Sequence, residues 1–276
     1  MKMPGEPDQL YVDARRALLD ALDALGPHAT ALVLVGAQAV YIHTGDAEVA
    51  VAATTKDGDL AVDPRELKDQ PSLEAAMVAA GFRLSDNPGI WLASDTGAEV
   101  DLLVPESLAF DTGRRAARIP GHGASSARRV VGLEAAIVDN EAHTLMALEP
   151  LDRRALSVRL AGPAALLVAK LHKVGERRES PDRLVDKDAL DIYRLLAVVS
   201  TLTLTRALQV LLADPISASV TRTAVTYLGE LFGSANGIGS RMAARAVEPL
   251  MDGDTIAQSS AALAQDLLAA LDATTP

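Results

Sequence analysis

The stretch Val33-Leu34-Val35-Gly36-Ala37-Gln38-Ala39-Val40, followed twenty-one residues after Gly36 by Asp57-Gly58-Asp59, decides how this chain reads. The short apolar run over 31–35 predicts a strand buried on both faces. Gly36 then turns the chain into a short helix over 37–41, and a second strand runs from near Thr55 to Val62. Residues i and i+2 of a strand share a face, so Asp57 and Asp59 project side by side. Two carboxylates that close repel each other unless a cation lies between them. An oxygen-only donor set of this kind suits Mg²⁺ (or Mn²⁺), which takes one or two protein carboxylates and completes its shell with substrate phosphates. The chemistry so indicated is phosphoryl or nucleotidyl transfer.

A third acid joins the argument. Asp101 lies inside Glu99-Val100-Asp101-Leu102-Leu103-Val104, a charge embedded in an apolar strand. Such a group is costly unless it is paired, hydrogen-bonded or bound to a metal. If its strand lies beside the one carrying Asp57 and Asp59, the three acids make a site for two divalent ions. Such a site lowers the pKa of an attacking hydroxyl and neutralises charge on leaving pyrophosphate. Gly36 and Ala37 are small residues at a helix N-terminus, where backbone N–H groups can cradle a phosphate. Thr55 and Lys56, just before the pair, either contact nucleotide or merely complete the strand.

The bulk properties narrow the class. A chain of 276 residues has room for one large or two modest domains. It contains no cysteine, which excludes disulfides, thiolate metal sites and cysteine nucleophiles. Aromatics are 3% of the chain, so the core is expected to be aliphatic. The N-terminal Met1-Lys2-Met3-Pro4-Gly5-Glu6-Pro7 is polar and proline-broken, unlike a secretory signal, and no apolar run approaches bilayer length. A cytoplasmic protein without a membrane partner is therefore expected. The net charge of −11 argues against a whole-surface grip on nucleic acid. Arginines and lysines nevertheless gather in the middle third, from Arg114, Arg115, Arg118, Arg128 and Arg129 onward, as either a local binding patch or a solvated face.

Further along, a helix over 13–25 carries Leu18, Leu22 and Leu25 on one stripe and stops at Gly26-Pro27. Thr44-Gly45-Asp46 reads as loop. Ser72 caps a helix that runs to Ala80, with Gly81 at its end. Segments 90–93 and 99–104 read as an antiparallel pair, 130–133 and 143–148 as strands, and Gly121-His122-Gly123 as loop. Gly162-Pro163 breaks the chain, after which helices are expected over 164–178, 186–199, 204–212, 217–232, 242–251 and 255–271. The expected fold is thus α/β (α+β), with a mixed sheet flanked by helices to about residue 160 and a helical domain beyond it. Lys170, Lys173 and Arg177, spaced i, i+3, i+7, fall on one helix face suited to nucleotide phosphates, or simply to solvent. Asp188 and Asp191 stand one turn apart on the next helix, where Lys187 and Arg194 offer local salt-bridge partners.

Taken together, Gly36-Ala37, Asp57-Gly58-Asp59 and Asp101 resemble the fingerprint of the nucleotidyltransferase superfamily typified by DNA polymerase beta. Lys170-Leu171-His172-Lys173 with Arg177 and Arg178, then Lys187-Asp188-Ala189-Leu190-Asp191-Ile192-Tyr193, resemble the additions of its AbiEii and MenT-type toxin branch. The resemblance spans roughly residues 32–196. It implies a catalytic domain over 1–160 and a helical domain over 161–276 that adds basic and acidic nucleotide-site residues. It further implies metal ligation by Asp57, Asp59 and Asp101, a nucleoside triphosphate as substrate, and phosphate positioning by Gly36, Lys170 and Lys173. Asp188 would organise the nucleotide site and its lysine. The acceptor would be tRNA or another RNA, and the protein a toxin neutralised by a cognate antitoxin. Two positions depart from the pattern: Ala37 stands where Gly or Ser is usual, and Gly58 where a hydrophobic residue is usual. Two alternatives stay open, transfer to an aminoglycoside-like small molecule and an inactive nucleotide-binding module on the same scaffold. His43 and His172 read as packing or surface residues. No zinc spacing and no Gly-x-Ser-x-Gly elbow is present.

Overall fold

The computed structural model describes residues 8–45, 54–110 and 115–273, so the segment Met1–Pro7, Asp46 and Arg114 lie outside the described residues. The elements, in chain order, begin with α1 (Gln9–Ala24), β1 (Leu32–Val35), α2 (Gly36–Thr44), β2 (Asp57–Val62) and α3 (Leu73–Ala79). Strands β3 (Phe82–Leu84), β4 (Ile90–Ala93), β5 (Glu99–Pro105), β6 (Ala116–Ala117) and β7 (Ala127–Val130) follow. After the short α4 (Glu134–Val138) come β8 (Asn140–Met146) and β9 (Ala155–Ala161). The rest is helical: α5 (Pro163–Gly175), α6 (Asp186–Val198), α7 (Thr201–Ala213), α8 (Ala218–Phe232), α9 (Ile238–Val247) and α10 (Gly253–Asp272). The fold is a mixed α/β sheet flanked by helices, with a helical C-terminal part. Among the described residues no single helix is long and apolar enough to cross a membrane.

Two compact units divide the chain. The first comprises Met1–Ala39, Ala52–Val130 and Asn140–Ala161. Its sheet has the order β3-β4-β5-β2-β1-β9-β8, with β7 also on β5 and β6 on β7. The central β1 is buried along its whole length, as its unbroken aliphatic run requires. It runs antiparallel to β2 and parallel to β9, while β2 runs parallel to β5. Helix α1 starts earlier than the leucine stripe suggests because the Asp8 side chain accepts from the Leu10 N–H at 3.0 Å. It packs on β2 and β5, burying Leu18 and Leu19 completely. Burial of this kind is worth about 1.5–3 kcal/mol per leucine. The close approach explains Gly58, where any Cβ would press on the Leu18 side chain.

Strand β5 is long enough to serve two neighbours on one edge. Strand β4 pairs antiparallel with its first half, Ile90 opposite Asp101, and β7 pairs parallel with its second half, Leu103 opposite Arg128. The fully buried Trp91 ties the two neighbours together, its Nε1–H donating to the Ser126 carbonyl at 2.9 Å. The strand expected over 130–133 is instead the end of β7 followed by a turn. Gly132 takes a φ of +89°, and its N–H donates to Glu134 Oε2 at 2.9 Å, so the chain reverses there.

The second unit comprises Val40–Val51, Val131–Asp139 and Gly162–Pro276. Helix α5 packs against α4, α6 and α8, α6 against α9, and α10 against α7, α8 and α9. Pro163 opens α5 at its first position, where a missing N–H costs nothing. The helix ends at Gly175 rather than running to Arg178, and a Cβ on Gly175 would run into the Tyr227 ring of α8.

Candidate active site

Four carboxylates share one face of the first unit's sheet. Parallel pairing sets Asp57 opposite Glu99 and Asp59 opposite Asp101, and neighbouring strands lie about 4.8 Å apart. Alternation along β2 and β5 then keeps all four side chains on the same side. The three acids expected to converge, Asp57, Asp59 and Asp101, are therefore brought together, and Glu99 is an addition that its exposed-looking place in the sequence concealed. Lys56 answers Glu99 at 3.1 Å, and that hydrogen bond holds its ammonium above the ordinary lysine value. Thr55 is buried and its hydroxyl donates to Asp57 Oδ1.

Asp101 is 5% exposed, and burial first, then the facing Asp59 charge, push its carboxyl up to about 7. Arg128 works against that rise, its Nη2 donating to Asp101 Oδ2. The other oxygen, Oδ1, is buried and has no hydrogen-bond partner among the described residues. Arg128 was visible in the sequence only as part of a basic cluster. It reaches the site because β7 takes over the β5 edge two residues past Asp101.

Gly36 sits against the same acids. Val35, its predecessor, is the register partner of Asp59. The chain leaves β1 at Gly36 with a φ of +71°, and a Cβ there would overlap the Asp59 carboxylate. Only glycine satisfies both demands. Gly36→Ala is accordingly expected to cost about 1–2 kcal/mol in backbone strain, to displace Asp59, and to cut turnover at least ~10-fold. Thermal unfolding and initial rates measured on one preparation check both halves; wild-type turnover in the alanine variant would contradict the contact. Ala37 follows as the second residue of α2.

The donor set is all oxygen, which is the chemistry of a hard divalent cation. The unpartnered Asp101 Oδ1 is the kind of buried atom that such an ion satisfies. Among the described residues, however, no group of three or more histidine, aspartate or glutamate side chains is placed so as to hold a metal ion. Arg128 supplies the positive charge at Asp101 instead. The residues thus fit a cation by donor type, with Asp57 and Asp59 as its natural holders.

Lys170, Lys173 and Asp188 belong to the second unit and form a cluster of their own. Lys170 is 6% exposed, and its Nζ donates to Asp188 Oδ1 at 2.9 Å and to Asp191 Oδ2 at 2.7 Å. Burial alone would lower that ammonium's pKa, but the two carboxylates hold it well above the usual lysine value. Burial would likewise raise Asp188, and Lys170 and Lys173 outweigh it and hold the carboxyl well below the ordinary range. Lys173 donates to the same Asp188 oxygen at 2.9 Å while its side chain stays 44% exposed. The triple cationic face expected on α5 does not form: Lys170 is buried, and Arg177 lies beyond the helix end at Gly175. Lys187 and Arg194, the local partners expected for the two aspartates, lie over the Tyr41 ring at 5.7 and 5.5 Å from its centroid.

A glycine bend against a carboxylate, an acidic strand pair and a nearby arginine suit the handling of phosphates and a cation, and comparison gives the class. The sequence model of a nucleotidyltransferase family matches residues 14–221, and the chain belongs to that family. A crystal structure of a protein from H. pylori, named only provisionally as a nucleotidyltransferase, aligns over 98% of this chain and 99% of that one. Its sequence identity is 10% and its TM-score 0.36. No curated protein matches the chain.

Proposed function

We propose that the protein is a metal-dependent nucleotidyltransferase that moves a nucleoside monophosphate from a nucleoside triphosphate to an acceptor hydroxyl. The observation that carries this reading is the register of β2 and β5, which sets Asp59 beside a buried Asp101 and keeps Asp57 on the same face. Asp57 and Asp59 would hold Mg²⁺ or Mn²⁺, with Asp101 completing the set. When bound, the cation supplies neutralisation of triphosphate charge and a more acidic acceptor hydroxyl. The chain's own groups do the rest. N–H groups at the start of α2, around Gly36 and Ala37, bind phosphate oxygens. Asp101 takes the acceptor's proton as the acceptor oxygen bonds to the α-phosphorus. The bond from that phosphorus to pyrophosphate breaks, and its electron pair leaves with pyrophosphate. By the family resemblance, Lys173 would meet a phosphate, with Asp188 and Lys170 fixing its place. Thr55 orients Asp57, and Lys56 balances Glu99.

For the acceptor, the family resemblance supports the 3′ end of a tRNA, with a toxin's role and a cognate antitoxin. One observation supports a second reading. Arg128 and Arg129 are engaged by Asp101 and Glu106, the latter at 2.8 Å, so this part of the basic cluster is already neutralised beside an acidic face. That arrangement suits a cationic small acceptor of the aminoglycoside kind. The test is incubation with each labelled triphosphate and Mg²⁺, with total RNA or an aminoglycoside as acceptor. Label on RNA is expected. Label on the amine alone would select the second reading, and Mg²⁺-dependent nucleotide binding with no transfer to either would make the protein a binding module.

A further inference from the structure

Among the described residues, Arg15 is a buried cation without a carboxylate partner. It is 5% exposed, and its donors go to three neutral acceptors. Nε donates to Gln38 Oε1 at 2.7 Å, Nη1 to the Met146 carbonyl at 2.9 Å, and Nη2 to the Tyr11 hydroxyl at 3.0 Å. Burial lowers its pKa, as expected for a guanidinium taken out of water. Gln38, 1% exposed, spends its other end on the active strand: Nε2 donates to the backbone carbonyl of Asp57 at 3.0 Å. A charged group thus grips α2 and β8 from α1, and one amide passes that grip to the first residue of β2. Most buried arginines end on an acid; one that is spent through a glutamine on a site backbone calls for a reason beyond packing.

We propose that Arg15 and Gln38 are positioning residues that anchor the Asp57 backbone, so that the Asp57 and Asp59 carboxylates are held ready for a cation before it arrives. Tight side-chain placement of this kind depends on supporting hydrogen bonds behind the ligands. The inference rests on the metal-dependent reading above, so its test has one arm without metal. Gln38→Glu separates the two ends of the relay. Its carboxylate still accepts from Arg15, now as an ion pair, while an oxygen instead of an N–H faces the Asp57 carbonyl. The fold should hold, with a melting temperature at or above that of wild type.

In the metal-free arm, hydrogen exchange of the peptide spanning Asp57–Asp59 should speed up at least tenfold, with β9 unchanged. In the second arm, Mn²⁺ titrated into the full chain should bind at least fivefold more weakly to Gln38→Glu. The added negative charge would by itself favour the cation, so weaker binding can come only from lost placement. Arg15→Met, which leaves the Gln38–Asp57 bond without its anchor, should weaken Mn²⁺ binding in the same direction. Unchanged exchange together with Mn²⁺ binding equal to or tighter than wild type would overturn the proposal. Faster exchange in a protein whose wild type binds no Mn²⁺ would uphold the anchor and refute the metal-dependent reading instead.

Discussion

Asp59→Asn is expected to abolish nucleotidyl transfer, by at least ~1,000-fold in kcat, while the protein melts no lower than wild type. The size follows from the proposed metal-dependent chemistry: losing a cation that would contribute several kcal/mol to the transition state costs a factor of ten for about every 1.4 kcal/mol. The retained stability follows from the register. Asp59 faces Asp101 across β2 and β5, and its charge helps push the Asp101 carboxyl up to about 7. An uncharged amide of the same shape removes that repulsion and still fits against Gly36. Asp57→Asn should be similarly inactive. Transfer assays and thermal melts on the pair decide it; activity within tenfold of wild type in either variant removes the mechanism.

The second large effect concerns the helical unit. Replacing Lys170 with methionine leaves Asp191 without its ammonium and Asp188 with Lys173 alone. Breaking a buried ion pair from one side costs about 3–5 kcal/mol, which should lower the melting temperature by roughly 10 °C in a chain of this size. The pH dependence has a definite sign. Asp188 has a depressed carboxyl in the fold, so its contribution is present above the unfolded aspartate value near ~4 and is lost as pH falls below it. Lys170 has a raised ammonium, so its contribution is present at neutral pH and fades only as pH rises past the ordinary lysine range. Wild type should therefore lose stability in acid. Lys170→Met should be hurt most at pH 7 and least near pH 4, where its stranded carboxylates can take protons. Lys170→Met with Asp191→Asn should recover part of the loss. Urea unfolding at both pH values gives the comparison, and a Lys170→Met variant as stable as wild type at pH 7 would show the cluster to be dispensable.

Much of this site is legible in the sequence, and what is not shares one cause. Strand alternation is local, so the common face of Asp57 and Asp59 was legible, as was the oddity of Asp101 among leucines and valines. The parallel pairing of β2 with β5 joins segments about forty residues apart, and no local pattern specifies which strand neighbours which. The same holds for the pairing of β5 with β7, which brings Arg128 to Asp101. For Asp188 and Asp191, nearby Lys187 and Arg194 offered partners by spacing alone, but burial selected Lys170 from another helix. Arg15 left a trace: it continues the stripe of Leu18, Leu22 and Leu25 at the same helical interval, which places a charge on the apolar side. Gly58 was legible as an anomaly; only the packing of α1 explains it.

The edge of β5 has a consequence for how this enzyme could diversify. Because β4 covers the half bearing Asp101 and β7 the half beyond it, the excursion between β5 and β7 can lengthen or shorten without disturbing Asp57, Asp59 and Asp101. A single-residue slip in β7 would be different, since it would swing Arg128 to the opposite side of the sheet and leave Asp101 with no counter-charge. Natural or engineered variants should accordingly accept insertions before Ala127 and reject any frame change within β7.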